Sequence, residues 1–214
     1  VSGACNNLTI GQGSAAKLEF GGATARTLNV GNNITINSLA SFSVNGGSNT
    51  THTVIAKRNI INNGTLNFNT DANSICQTIF NKSGSQTISG TGTYSFNAIT
   101  LDMGTTSNNI LEVASTNFTA TANFLTLSNG IFKLSQTNTS NLTPFTAAST
   151  IGQTCGIWLN SNNATINTGA GITLIGKLTI TNGTANIGNA ADEDILSSGG
   201  SITMNGGALN IAGK

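Results

Sequence analysis

The chain has 214 residues, a net charge of +1 and only 7% charged side chains, and Asn, Thr, Ser and Gly make up more than half of it. That composition excludes helical bundles and coiled coils, which need the Ala, Glu, Lys and Leu that are scarce here. Eight scattered cations leave no basic footprint for nucleic acid. A hydrophobic share of 37% argues against a disordered chain, and apolar runs of three or four residues are too short for a membrane-spanning helix.

An apolar–Thr–apolar triplet followed by an Asn- or Gly-rich corner recurs along the chain. It reads LTIGQGSAAKLEF (8–20), ITINSLASFSV (34–44), IINNGTLNF (60–68), TISGTGTYSF (87–96), LTLSNGIFKL (125–134) and WLNSNNATI (158–166). The last two copies, LTITNGTANIG (178–188) and ITMNGGALNIA (202–212), align without a gap at an offset of 24. Taking the second apolar residue of each triplet as an anchor selects Ile10, Ile36, Ile61, Ile88, Leu127, Leu159, Ile180 and Met204. The longest interval, between Ile88 and Leu127, holds an extra half-turn around ITLDM (99–103) and ILEV (110–113). Gln136–Thr143 reads as a loop.

Such a triplet is a period-2 element with two inward residues flanking one outward residue. A strand this short cannot bury its apolar face alone, whereas stacked copies cover one another and share a continuous core. Asn-Gly corners at Asn63-Gly64, Asn129-Gly130, Asn182-Gly183 and Asn205-Gly206 supply positive φ. The expected fold is an all-β parallel β-solenoid, a right-handed three-stranded β-helix of about eight or nine coils, some 40 Å long at ~4.8 Å per coil. It occupies residues 1–214 as a single domain. An antiparallel sandwich is the rival fold, but it does not require a gapless repeat.

The outward position of the triplets forms a column containing Thr9, Thr35, Thr87, Thr126, Thr179 and Thr203, with Ile60 and Trp158 between them. Threonine suits any exposed strand. A regular hydroxyl ladder would also order water, as an ice-binding solenoid does, but the flanking outward column is mixed and supplies no second row of Thr. A third-strand column, Glu19, Ser43, Asn67, Ser95, Lys133, Asn186 and Asn210, offers a partial amide ladder through Asn67, Asn186 and Asn210, of the kind that bonds stacked chains together. Trp158, the sole Trp, is either a platform for a sugar ring or packed under the Gln136–Thr143 loop. Tyr94 registers inward.

Acid–base catalysis on such a scaffold needs clustered carboxylates. Glu19, Asp71, Asp102 and Glu112 are scattered, and only Asp192-Glu193-Asp194 is local, reading as a corner loop or a weak Ca²⁺ site. His52, in a loop near Lys57 and Arg58, has no nucleophile beside it. No catalytic residue, metal ligand or cofactor is assigned, and the chain is not expected to be an enzyme. Cys5, Cys76 and Cys155 match no zinc or redox spacing. On stacked coils they lie too far apart to bridge, and Cys76 and Cys155 read as small buried hydrophobes.

The modules NLTIGQGSAAKLEFGG, NNITINSLASFSV and NIINNGTLNF resemble the repeat units of secreted bacterial β-helix proteins. These are the large repetitive surface adhesins and autotransporter passengers, including those exported by the type IX pathway. The resemblance implies a secreted or cell-surface location and a role in adhesion or as a stalk. It makes the chain a segment of a longer extracellular protein, whose partners are flanking domains, end-to-end solenoid contacts or surface glycans.

Overall fold

A computed structural model describes residues 2–106, 108–189, 195–197 and 199–212. These residues form an all-β parallel solenoid of about eight turns, and none of them is helical. The first four coils each contribute one strand to each of three ladders. The first ladder stacks Gly3–Cys5, Thr27–Val30, Thr51–Ala56 and Ile75–Phe80. The second stacks Leu8–Ile10, Ile34–Ile36, Ile60–Asn62 and Gln86–Ser89. The third stacks Ala16–Phe20, Ala40–Val44, Thr65–Asn67 and Thr93–Ser95. Further along, strands run on through a corner and serve two faces at once, as Leu125–Leu134, Cys155–Thr168 and Lys177–Ile187 do.

Short strands form here because each supplies two inward apolar residues that only the coils above and below can cover. One inward column of the second ladder climbs the rod as Leu8, Ile34, Ile60, Ile88, Val113, Leu134, Leu159, Ile180 and Met204. Every member from Ile34 to Ile180 is essentially solvent-free. The repeated triplets point to this column, and its register corrects several anchors. Ile10 and Ile36 belong to the neighbouring inward column, and Ile61 faces outward opposite Thr35. The inward place opposite Ile36 is taken by Asn62, fully buried. A run such as Ile60-Ile61-Asn62 fits either register by pattern alone, and a slip of one residue exchanges the two faces. Packing selects the register that lets the Asn62 amide donate to the Thr93 carbonyl (2.8 Å) and accept from the Gly64 N–H (2.9 Å).

Four further expectations change. Ala98–Asp102 and Ile110–Val113 are strands of the first and second ladders, so the step from Ile88 to Val113 is a full turn. Leu127 lies in the first ladder opposite Leu101, while residues 131–134 of the same strand continue the second. Ser140–Phe145, which overlaps the end of the expected loop at residues 140–143, is a strand paired with Cys155–Thr168. His52 sits within Thr51–Ala56 and is buried, not in a loop. Asp192-Glu193-Asp194 lies outside the described residues.

The corners follow two rules. Gly130 and Gly183 take positive φ as the Asn-Gly reading requires. Gly64 and Gly206 do not; a Cβ there would lie 2.2 Å from the Ala40 carbonyl oxygen and 2.5 Å from that of Thr181. Close approach of stacked backbones, not torsion, selects glycine at those two. Cys5, Cys76 and Cys155 are all free thiols, the last two buried. Burial drives the Cys76 thiol far above its ordinary value, as expected of an inert core residue.

Candidate functional site

The outward face of the second ladder holds most of the residues singled out from sequence, and its register decides which of them meet. Thr9 and Thr35 stack, followed by Ile61 and Ser89. One outward position back along the strand, a second column runs Thr87, Glu112, Lys133, Trp158, Thr179 and Thr203. The threonine column therefore steps sideways at Gln86–Ser89 and is interrupted by three large side chains. Thr126 is not part of it. It pairs with Thr100 in the first ladder and lines a groove with Asn123, Phe145 and Thr150, where the first ladder ends and Ser149–Ile151 begins a separate sheet.

Glu112, Lys133 and Trp158 occupy consecutive coils at one outward position, so stacking at the coil repeat brings them into contact. Lys133 Nζ lies 2.9 Å from Glu112 Oε1 and 4.1 Å from the centre of the Trp158 ring. The indole N–H donates to Thr181 Oγ1 at 2.9 Å. Burial raises the Glu112 carboxyl, but hydrogen bonds from Ser135 and Lys133 and the Lys133 charge outweigh it and hold the group below its ordinary value. Trp158 thus packs against Lys133 and Thr181. The sequence showed each residue but not the trio, because Glu112 lay in the misread interval and Lys133 was assigned to the third strand.

The third-strand column is observed for Glu19, Ser43, Asn67 and Ser95. Higher on the rod an amide ladder is built from Asn141, Asn167, Asn186 and Asn210. Asn167 donates to Asn141, Asn186 to Asn167 at 2.8 Å and Asn210 to Asn186 at 2.7 Å. Asn67 is not in this ladder; its side-chain Oδ1 accepts the backbone N–H of Asn69. Tyr94 is buried in the core beside Phe96 and Phe118.

The described carboxylates all have structural partners. Glu19 is bound by Lys17, Ser43 and Asn45. Asp71 accepts backbone N–H groups of Gly47, Asn73 and Ser74, which hold it down to about 2. Asp102 accepts from Asn129 at 2.7 Å. Among the described residues no three His, Cys, Asp or Glu side chains gather as a metal site, and no helix is long and apolar enough to cross a membrane. Set beside family models, curated proteins and solved structures, the chain matches none.

Proposed function

We propose that the chain is a non-enzymatic structural or adhesive module of a secreted or cell-surface protein, related in kind to the repetitive β-helix adhesins that its repeats resemble. The observation that carries this reading is how the polar side chains are used. Amides, hydroxyls and carboxylates bond from coil to coil along the axis, as in Asn141–Asn167–Asn186–Asn210 and Glu112–Lys133. Groups committed to their neighbours in this way stiffen a rod. An acid–base site would instead hold polar groups in reserve for substrate.

The adhesive form of the reading centres on Trp158, the one large aromatic on the outward column, set between Lys133 and the hydroxyls of Thr179 and Thr181. A panel of immobilised glycans and cell-surface polysaccharides tests it. Retention of the chain that Trp158→Ala abolishes supports adhesion, and no retention restricts the role to a spacer. Cleavage of any polysaccharide in the panel, with or without Ca²⁺, would overturn the non-enzymatic reading.

A further inference from the structure

The first ladder is broken partway up the rod. Its last paired members are Ala98–Asp102 and the first half of Leu125–Leu134, and Ser149–Ile151 opens the separate sheet that continues through Ile172–Leu174 and Ile195–Ser197. Leu125-Thr126-Leu127 and Ser149-Thr150-Ile151 therefore face each other as two edges with no rung between them. Residues of both line a groove with about 280 Å³ of free space, which hydrogen-bonded strands at ~4.8 Å would not leave. The two coils are pinned on either side of it. The Asn123 N–H donates to the Thr143 carbonyl at 2.8 Å, and the Gly130 N–H to the Thr154 carbonyl at 3.0 Å.

Backbone groups are left over on both walls. The Ile99 N–H donates to the Phe124 carbonyl, so by alternation Thr126 bonds back to Ala98–Asp102 while Leu125 and Leu127 turn their N–H and C=O groups to the groove. The Leu127 carbonyl takes the Cys155 thiol at 3.4 Å, but the Leu125 carbonyl and the Leu127 N–H meet no strand. On the opposite wall the Ser149 N–H donates to Gly171 and the Ile151 carbonyl accepts from Ile175. Both backbone groups of Thr150 therefore face the groove. Unpaired edge groups of this kind are a template for a further strand.

We propose that this groove binds an extended segment of another polypeptide, of the form apolar–Thr–apolar, as a parallel strand that supplies the missing rung. The chain itself shows what each wall accepts. Ile99-Thr100-Leu101 is the partner of Leu125-Thr126-Leu127, and Ile172-Thr173-Leu174 is the partner of Ser149-Thr150-Ile151, so both walls already pair in parallel with Ile-Thr-Leu. In the groove, the middle Thr of such a segment donates to the Leu125 carbonyl and accepts from the Leu127 N–H. The carbonyl before it accepts from the Thr150 N–H, and the N–H after it donates to the Thr150 carbonyl. Its apolar side chains point inward with Leu125 and Ile151, which are buried, and its hydroxyl lies outside between Thr126 and Thr150, which are exposed. The triplets of this chain's own described strands are already fixed in its coils, so the occupant is a separate chain.

Fluorescence polarisation of a labelled Gly-Ile-Thr-Leu-Ile-Gly peptide, the sequence of residues 171–176, tests this. Binding should saturate, and N-methylation of the peptide Thr, which removes the donor to Leu125, should weaken it roughly tenfold. Thr150→Pro removes a groove donor that pairs with nothing in the rod and should weaken the unmodified peptide by a similar factor. Should Thr150→Pro fail to fold by circular dichroism, the N-methylated peptide carries the test on the intact protein. In hydrogen exchange, the amides of Leu127 and Thr150 should be fast in the free chain and slowed by the peptide. No saturable binding at millimolar peptide overturns the proposal. So does binding indifferent to N-methylation, or protection of Leu127 and Thr150 in the free chain, which would mean that the two edges pair directly. The groove shares no residue with the Trp158 column, so none of these results touches the surface-module reading, which the glycan panel tests separately.

Discussion

The lower and upper parts of the rod keep coils in register by different means. Below, aromatic rings climb through the core: Phe20 to Phe42 at 5.6 Å, Phe42 to Phe68 at 4.9 Å, Phe68 to Phe96 at 6.1 Å and Phe96 to Phe118 at 5.4 Å. Phe124 and Phe132 extend the series. Beyond Phe145 the core contains no Phe and is filled by Ile157, Leu159, Ala164, Ile166, Leu178, Ile180, Ala185 and Ile187. There the continuous ladder is outside, in the amides of Asn141, Asn167, Asn186 and Asn210. Rings that touch their counterparts resist sliding. A core filled by Ala, Leu and Ile has less shape with which to specify register, and directional hydrogen bonds supply it from the surface.

Removing a ring should therefore cost more than trimming a methyl in the upper coils. Phe96 is fully buried and touches Phe68, Tyr94 and Phe118. Phe96→Ala should lower the unfolding free energy by about 3–5 kcal/mol, through lost burial and the cavity left behind. Ile180→Val, equally buried, should cost about 0.5–1.5 kcal/mol. Denaturant unfolding of both variants checks the contrast, and similar losses would show that the rings add nothing specific.

The next effect tests the register that the sequence pattern misassigned. Asn62→Leu keeps the branching and heavy-atom count of the buried side chain but leaves the Gly64 N–H and the Thr93 carbonyl without their partner, at about 1–3 kcal/mol. Gly90→Ala should fail in the same place. Its φ is +113°, and the new Cβ would lie 2.1 Å from the Asn62 carbonyl oxygen. If Asn62→Leu stabilised the protein, the amide would not be what selects this register.

What the sequence made legible was the stacking unit, because apolar–Thr–apolar triplets with glycine corners have few other ways to bury themselves. Leu178 over Ile202 and Ile180 over Met204 are the pairings that the 24-residue repeat requires. What it left open was which ladder a triplet joins. Leu125-Thr126-Leu127 has the same form as Leu178-Thr179-Ile180, yet it faces another sheet, because the strand it begins turns a corner and only its second half continues the column. The Glu112–Lys133–Trp158 contact was hidden for the same reason: it depends on the number of residues per coil, which varies with corner length. The amide ladder was half visible in Asn186 and Asn210, while Asn141 and Asn167 stood in segments read as loop or left unregistered.

Breaking that ladder should give a smaller, local effect. Asn186→Ala removes one donor bond and one accepted bond, each worth about 0.5–1.5 kcal/mol net, at a partly solvated surface. Global stability should fall by about 1 kcal/mol. Amide hydrogen exchange should rise mainly in Lys177–Ile187 and Ala208–Ile211, with the aromatic coils unaffected. Exchange that rises equally at Phe42 and Phe68 would mean that the two parts do not hold register independently.

The smallest effect is a pH dependence confined to the aromatic end. His52 is fully buried and stacks on Phe20 at 4.9 Å, with the ring planes 7° apart. Its Nδ1 accepts the Arg26 backbone N–H at 3.3 Å, so the neutral ring carries its proton on Nε2, which has no hydrogen-bond partner. Protonating Nδ1 would set two N–H groups against each other. Burial first, and the Arg26 charge second, push the His52 pKa below its ordinary value of 6.5. A histidine depressed in the folded state binds its proton more readily once unfolded. Its contribution is therefore complete above about pH 6.5 and declines as the pH falls below that. The carboxylates Glu19, Asp71 and Glu112 are likewise depressed, but from lower starting values, so a comparison between pH 7.5 and 5.5 isolates the imidazole. Over that interval the thermal midpoint of the wild type should fall more than that of His52→Phe, which keeps the stacking on Phe20 and removes the titration. Equal falls would mean that the buried ring adopts the charged form without cost and that its unpaired Nε2 is solvated in the folded state.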